Sequence, residues 1–162
     1  MSNAEIVSAP FAEFLRGLKM EQIWVESSSC NVNRSMLDGA DGVEIEFGYA
    51  PKLLEATKKF ASISVLFGAR LLRKTREAET DEAGLLTVRF RVRYSTQQKM
   101  TAEIFDEFRK VTLLVNTVPF AREWIHDQSL RMGLDPILLP LALTHPAAAT
   151  PVATNSSQRS KR

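Results

Sequence analysis

Glu123 and His126 form an E-x-x-H motif on a stretch that reads as a helix, and are the first place to look for chemistry. In carboxylate-bridged di-metal bundles that motif works only when a second E-x-x-H and further glutamates face it from neighbouring helices. The other histidine, His145, lies in a terminal stretch poor in large apolar residues, so Glu123 and His126 read as a surface pair beside Asp127, and no metal ligands are assigned. Ser27, Ser28 and Ser29 lack the G-x-S-x-G frame of a nucleophile elbow. The seven glycines are scattered, so no phosphate-cradling loop is formed. Cys30 is alone, which excludes an intrachain disulfide and a cysteine-based zinc site; it reads as a small, semi-buried thiol. No catalytic residue and no cofactor is expected, and the chain does not read as an enzyme.

Arg89, Arg91 and Arg93 make a basic stripe at every second position and are the best nucleic-acid feature in the sequence. Two observations weigh against that use. Glu44 and Glu46 alternate on another strand and could oppose the arginines, and no aromatic residues interleave with them as a single-strand stacking platform requires. An ion-paired or solvated face is expected, with no nucleic-acid partner. The whole chain carries a net charge of +2, but Arg159, Lys161 and Arg162 face no acid in the terminal stretch, and the remainder has 18 basic against 19 acidic residues. A nearly neutral body argues in the same direction.

Four stretches have the periodicity of strands. Lys19 to Arg34 reads as a long strand with Ile23 and Trp24 on opposite faces, both meeting protein. After a break at Asp38, Gly39, Asp41 and Gly42, Val43, Ile45, Phe47 and Tyr49 alternate with Glu44, Glu46 and Gly48, and Ala50-Pro51 is expected to end that strand. Lys52 to Phe60 reads as one helical turn or a crossover loop. Ala61 to Lys74 forms the third strand, and Leu86 to Tyr94 the fourth, joined by a charged connection from Thr75 to Gly84. Strands in succession without long helical crossovers predict an antiparallel sheet.

From Thr101 the period changes: Ile104, Phe108, Val111, Val115 and Val118 lie at helical spacing, with a break expected at Asn116 or Thr117. Pro119 then starts a second helix, since its missing N–H is one of the unpaired groups of a first turn, and Gly133 with Pro136 ends it. Phe11, Phe14, Leu15 and Leu18 predict a short helix within residues 1–18. The class is α+β, with helices covering one sheet face and Leu134 to Leu143 folded over an edge. With 162 residues, one domain spanning 1–143 is expected, followed by a disordered tail over 144–162. No run is apolar and long enough to insert in a membrane and no secretory leader is visible, so a cytoplasmic location is expected.

Trp24, Leu66, Leu72, Trp124 and the run 137–143 exceed what one sheet and two helices can bury on a single side. Oligomer contacts could use all of it, or could leave a groove for extended polypeptide. The order Pro119, Phe120, Ala121, Arg122, Glu123, then Gly133, Pro136, Leu138 and Leu139, resembles the C-terminal signature of the SecB-type preprotein export chaperones and their SecB-like relatives. The resemblance implies a four-stranded antiparallel sheet followed by two C-terminal helices, assembled as a dimer of dimers with the helices between the sheets. It implies an ATP-independent chaperone that holds a preprotein, or in some relatives an antitoxin, unfolded. The client groove would then use Phe47, Tyr49, Trp124, Leu138, Leu139 and Leu141, on their apolar character and position, while Arg122 and Glu123 serve the helix through local pairs. The best-known members end in an acidic tail that helps them dock on the motor SecA; here the tail is basic, which sets that partner apart from the unfolded client. An oligomeric scaffold or a nucleic-acid-binding module are the rival classes.

Overall fold

The computed structural model describes residues 8–38, 40–74 and 80–139. Its order is α1 (Ala9–Arg16), β1 (Lys19–Val32), α2 (Arg34–Leu37), β2 (Gly42–Ala56), β3 (Phe60–Lys74), β4 (Thr80–Ser95), α3 (Ala102–Lys110) and α4 (Thr112–Arg131). The strands form one antiparallel sheet in the order β1-β4-β3-β2. β2, β3 and β4 follow as hairpins, whereas residues 33–41 with α2 carry the chain from β1 at one edge to β2 at the other. The predicted succession of strands is therefore right in direction, but the first connection crosses the sheet's width.

One face of the sheet is buried. Ala61, Ile63, Val65, Phe67, Ala69 and Leu71 of β3 alternate with Leu86, Val88, Phe90, Val92 and Tyr94 of β4, all nearly inaccessible. Phe11 and Phe14 of α1, Phe108 of α3, and Leu113, Leu114, Val118 and Ala121 of α4 pack over them. Phe67 meets Tyr49 and Phe90 at ring-centroid distances of 5.2 and 6.2 Å, and Tyr94 meets Phe108 edge-on at 5.3 Å. A second cluster at the far end joins Ala69, Leu71 and Leu86 to Ile125, Ile137 and Leu139. Ser8 and Thr101 cap α1 and α3 through side-chain oxygens that accept from Phe11 N and Ile104 N.

Several boundaries depart from the periodicity. β2 runs through Pro51 to Ala56, where the chain was expected to stop at Ala50-Pro51 and to turn or form a loop over Lys52 to Phe60. Because β2 is flanked only by β3, the missing N–H of Pro51 falls where no ladder bond is needed. The break between the last two helices is at Val111, not at Asn116 or Thr117, and Pro119 lies inside α4 instead of starting a helix. Pro119 sits on the exposed side, and Val115, whose carbonyl loses its partner, is also exposed, so water can satisfy it. Leu113, Val118, Ala121 and Ile125 on either side of it bury one continuous stripe, which holds the helix together. Val111 itself is 57% exposed, off the stripe on which its spacing placed it.

β1 departs most. Trp24 is 45% and Val25 46% exposed, while Met20 and Ile23 are half-buried against the core, so of the two faces expected to meet protein only that of Ile23 does so among the described residues, and only in part. The helices cover β3 and β4 at the centre, and irregularities between Met20 and Gln22 and between Val25 and Ser27 interrupt the alternation of β1. Cys30, on the same edge strand, is exposed rather than semi-buried, and partial loss of solvent raises its thiol above the usual value. The expected tail, 144–162, lies outside the described residues.

Candidate functional site

The inner face of β2 carries a line of apolar side chains, because Ile45, Phe47, Tyr49 and Leu53 pair with the core residues Leu71, Ala69, Phe67 and Ile63 of β3 and share their side of the sheet. Unlike their partners, these four are only half-buried, because β2 is an edge and among the described residues no further strand lies beyond it. Val43, one register row beyond Ile45, is 44% exposed. Trp124 of α4 comes down between the two core clusters and touches both, closing the line from the helix side.

Residues 134–139 form the other wall. Gly133, with φ of 68°, turns the chain out of α4 in the left-handed region where a Cβ is disfavoured, and Arg34 Nη1 lies 2.6 Å from where that Cβ would be. Two bonds then hold the segment to the helix. Ile137 N donates to Ser129 Oγ at 3.1 Å while that hydroxyl donates to the His126 carbonyl at 2.7 Å, and Arg122 Nε donates to the Leu139 carbonyl at 3.0 Å. Ile137 and Leu139 thereby pack on Ala69, Leu71 and Leu86 of the inner strands. The described part of this segment lies across the sheet face instead of over an edge as expected, since the edge offers no closed apolar floor.

Between this wall, α2 and β2 is a hollow of about 290 Å³, lined by Leu37, Val43, Ile45, Leu71, Leu134 and Ile137 with Arg34, Asp38 and Asp135 around it. The Arg34 guanidinium is held there by the Met132 carbonyl at 3.2 Å. The trough thus runs from the hollow past Phe47 and Trp124 to Tyr49, whose hydroxyl donates to the Arg109 carbonyl at 3.2 Å. Burial pushes the Tyr49 phenol well above its usual pKa, with Tyr94 adding to the rise and Arg109 opposing it.

Of the predicted groove residues, the structure brings Phe47, Tyr49, Trp124 and Leu139 to one side of the sheet. Leu139 is a buried anchor of the wall, 3% exposed, while Leu138 points away from the core at 65% exposure. Leu141 lies outside the described residues. Sequence reasoning missed the hollow and the two bonds that make the wall. Val43 and Ile45 already stood in the period-two pattern that marked the strand, but nothing local says that Ser129 and Arg122 take hold of a segment eight and seventeen residues on. Among the described residues no three His, Cys, Asp or Glu side chains are grouped to hold a metal ion. No described helix is long and apolar enough to cross a membrane.

No family description matches the chain, and no curated protein matches its sequence. The fold is similar to that of the SecB-like chaperone of Mycobacterium tuberculosis, solved in complex with a ChAD peptide from the HigA1 antitoxin. The two are 15% identical with a TM-score of 0.66, and the match covers 85% of this chain and 99% of that one. A protein of unknown function from Streptococcus agalactiae matches with a TM-score of 0.42 and 12% identity over 76% of this chain and 96% of its own. The chain has the SecB-like fold, a four-stranded antiparallel sheet followed by two C-terminal helices.

Proposed function

We propose that this protein is an ATP-independent, cytoplasmic SecB-like chaperone that holds an extended, unfolded polypeptide, and that an antitoxin is the better client reading than a preprotein bound for export. The observation that carries it is the trough along β2: a row of half-buried apolar side chains walled by α4 and residues 134–139, on the fold of a chaperone solved with an antitoxin peptide. Edge strands with exposed apolar residues take up extended chains through main-chain bonds and alternate side-chain pockets. Phe47, Tyr49 and Trp124 line the trough, with the exposed Leu138 beside it and Leu139 securing the wall. The mechanism is mass action: a binder of the unfolded client lowers the concentration available for aggregation without any bond chemistry.

The second reading is targeting of preproteins to the export motor SecA. It is favoured only by the resemblance of the C-terminal signature. We further propose assembly as a homo-tetramer, a dimer of dimers. The exposed Val25 on the inner side of β1, and Val111, Val115 and Leu130 on the helical layer, are the apolar surface that such contacts would cover.

The test is suppression of aggregation of a chemically unfolded protein at stoichiometric ratios, read by light scattering. The wild-type chain is expected to suppress it, and Phe47→Ser together with Trp124→Ser to lose most of that effect while the oligomer's mass is unchanged. Absence of suppression by the wild type removes the chaperone reading. Suppression by the double variant equal to wild type removes the trough as its site.

A further inference from the structure

The outer face of the sheet, opposite the helices, is where the sequence placed its basic stripe, and the folded chain adds what the sequence lacked. Across the register, Lys52 of β2, Ser64 of β3, Arg91 of β4 and Trp24 of β1 lie in one row. The neighbouring rows are Glu55, Ser62, Arg93 and Gln22 on one side, and Ala50, Leu66, Arg89 and Ser27 on the other. An aromatic ring therefore stands directly beside the arginines after all, and a second lies under Arg93, whose guanidinium is 4.5 Å from the centroid of Phe60. Trp24 is 45% exposed on a shallow depression formed with Glu21, Gln22 and Ile23.

The charges on this part of the face do not cancel. Arg91 pairs with Glu26, but Arg89 donates to Ser64 Oγ at 3.2 Å and Arg93 rests on the Phe60 ring, neither with a carboxylate partner among the described residues. Lys52 has none either. The other half of the same face is neutralised pair by pair: Arg70 with Glu46 and Glu82, and Lys74 with Glu44. The expectation that Glu44 and Glu46 would oppose the arginine stripe is thus corrected, because the register sets them against Leu72 and Arg70 at the far end.

We propose that this half of the outer face binds a single-stranded nucleic acid, with Arg89, Arg91 and Arg93 meeting the phosphates and Trp24 stacking on a base. Alternate residues of a strand are about 6.6 Å apart, so three arginines present a straight row of cations that an extended polyanion can follow. Ser62 and Ser64 supply hydroxyls between the rows, and the exposed indole supplies what a purely electrostatic surface lacks: a flat apolar partner with no preference among bases. An acidic peptide would use the arginines but gain little from the ring. This surface lies on the opposite side of the sheet from the trough, so the inference stands apart from the chaperone reading.

The experiment is fluorescence anisotropy of the full chain with a short labelled oligothymidylate, with labelled polyglutamate of matching length as the rival probe. The oligonucleotide is expected to bind, and three phosphate contacts give a log–log salt slope of about −2, a loss of about 15-fold between about 50 and 200 mM salt. Trp24→Ala is expected to weaken binding at least about fivefold. The pair Arg89→Gln with Arg93→Gln is expected to abolish binding, with aggregation suppression unchanged in all three positions. Replacing Arg159, Lys161 and Arg162 by alanine must leave the affinity within about twofold if the sheet face is the site. No binding, loss of binding on removing the tail charges, or polyglutamate binding as tightly with no effect of Trp24→Ala would each overturn the proposal.

Discussion

Leu66 and Phe67 are neighbours in β3, yet one belongs to a half-open surface and the other to the centre of the core, and the whole sheet repeats that contrast. Its inner face is sealed by three helices and a carboxy-terminal segment, with aromatic rings meeting at 5.2 to 6.2 Å. Its outer face bears serines, arginines and small residues, with ion pairs at one half and unmatched cations at the other. The inner face specifies the fold by volume, since apolar burial is worth most where water is fully excluded. The outer face adds little stability and is free to vary in charge, because exposed ion pairs are worth little. The trough belongs to neither extreme. It arises where the inner face runs out at β2 and apolar residues remain without a cover.

The largest test of that contrast compares adjacent residues. Phe67→Ala, at a site 1% exposed and in contact with two other rings, is expected to lower stability by about 3–5 kcal/mol in urea unfolding. Leu66→Ala should cost less than about 1.5 kcal/mol, because its side chain is half in water already. Equal losses would mean that the outer face is covered in the working protein, by another copy or a ligand.

The two tyrosines sharpen the same comparison through pH. Both stand on the inner side, and burial raises both phenols, with Asn116 partly opposing the rise at Tyr94. A raised folded pKa means that the neutral phenol is the one the fold favours. The stabilisation is complete below the unfolded value of about 10 and is lost as pH rises above it. Tyrosinate absorbance at alkaline pH is expected to appear together with loss of helical circular dichroism. Ionisation at the ordinary value in a still-folded chain would show that water reaches this face. Tyr49→Phe should shift the alkaline midpoint upward.

The smallest effect is expected on the outer side. Glu46→Gln removes one exposed partner of Arg70, which keeps Glu82 at 3.1 Å, and should change stability by less than about 1 kcal/mol. A larger loss in thermal unfolding would show that the ion-paired half carries structure.

Reading these residues in order was enough wherever the signal was local. Strict alternation marked β3 and β4, the change to helical spacing at Thr101 marked the end of the sheet, and Gly133 marked the end of α4. It failed at Pro51, Val111 and Pro119, where the usual preference of a residue type was overruled by where its backbone groups came to lie. A proline on an open edge, or on the wet side of a helix, leaves no buried group unsatisfied. The candidate trough was half visible: Phe47, Tyr49 and Trp124 stood out as apolar residues in amphipathic patterns, but the hollow beside Val43 and the wall formed by residues 134–139 did not.

Strand alternation, helical spacing and composition, all properties of near neighbours, settled the α+β class and which side of each element would be greasy. Strand order and register were decided only when the chain closed, because they depend on contacts between residues dozens of positions apart. That closure set Trp24 beside Arg91, sent Glu44 and Glu46 to the far end, and left β2 uncovered. A strand's pattern says which way each side chain points; only its pairing says what stands next to it.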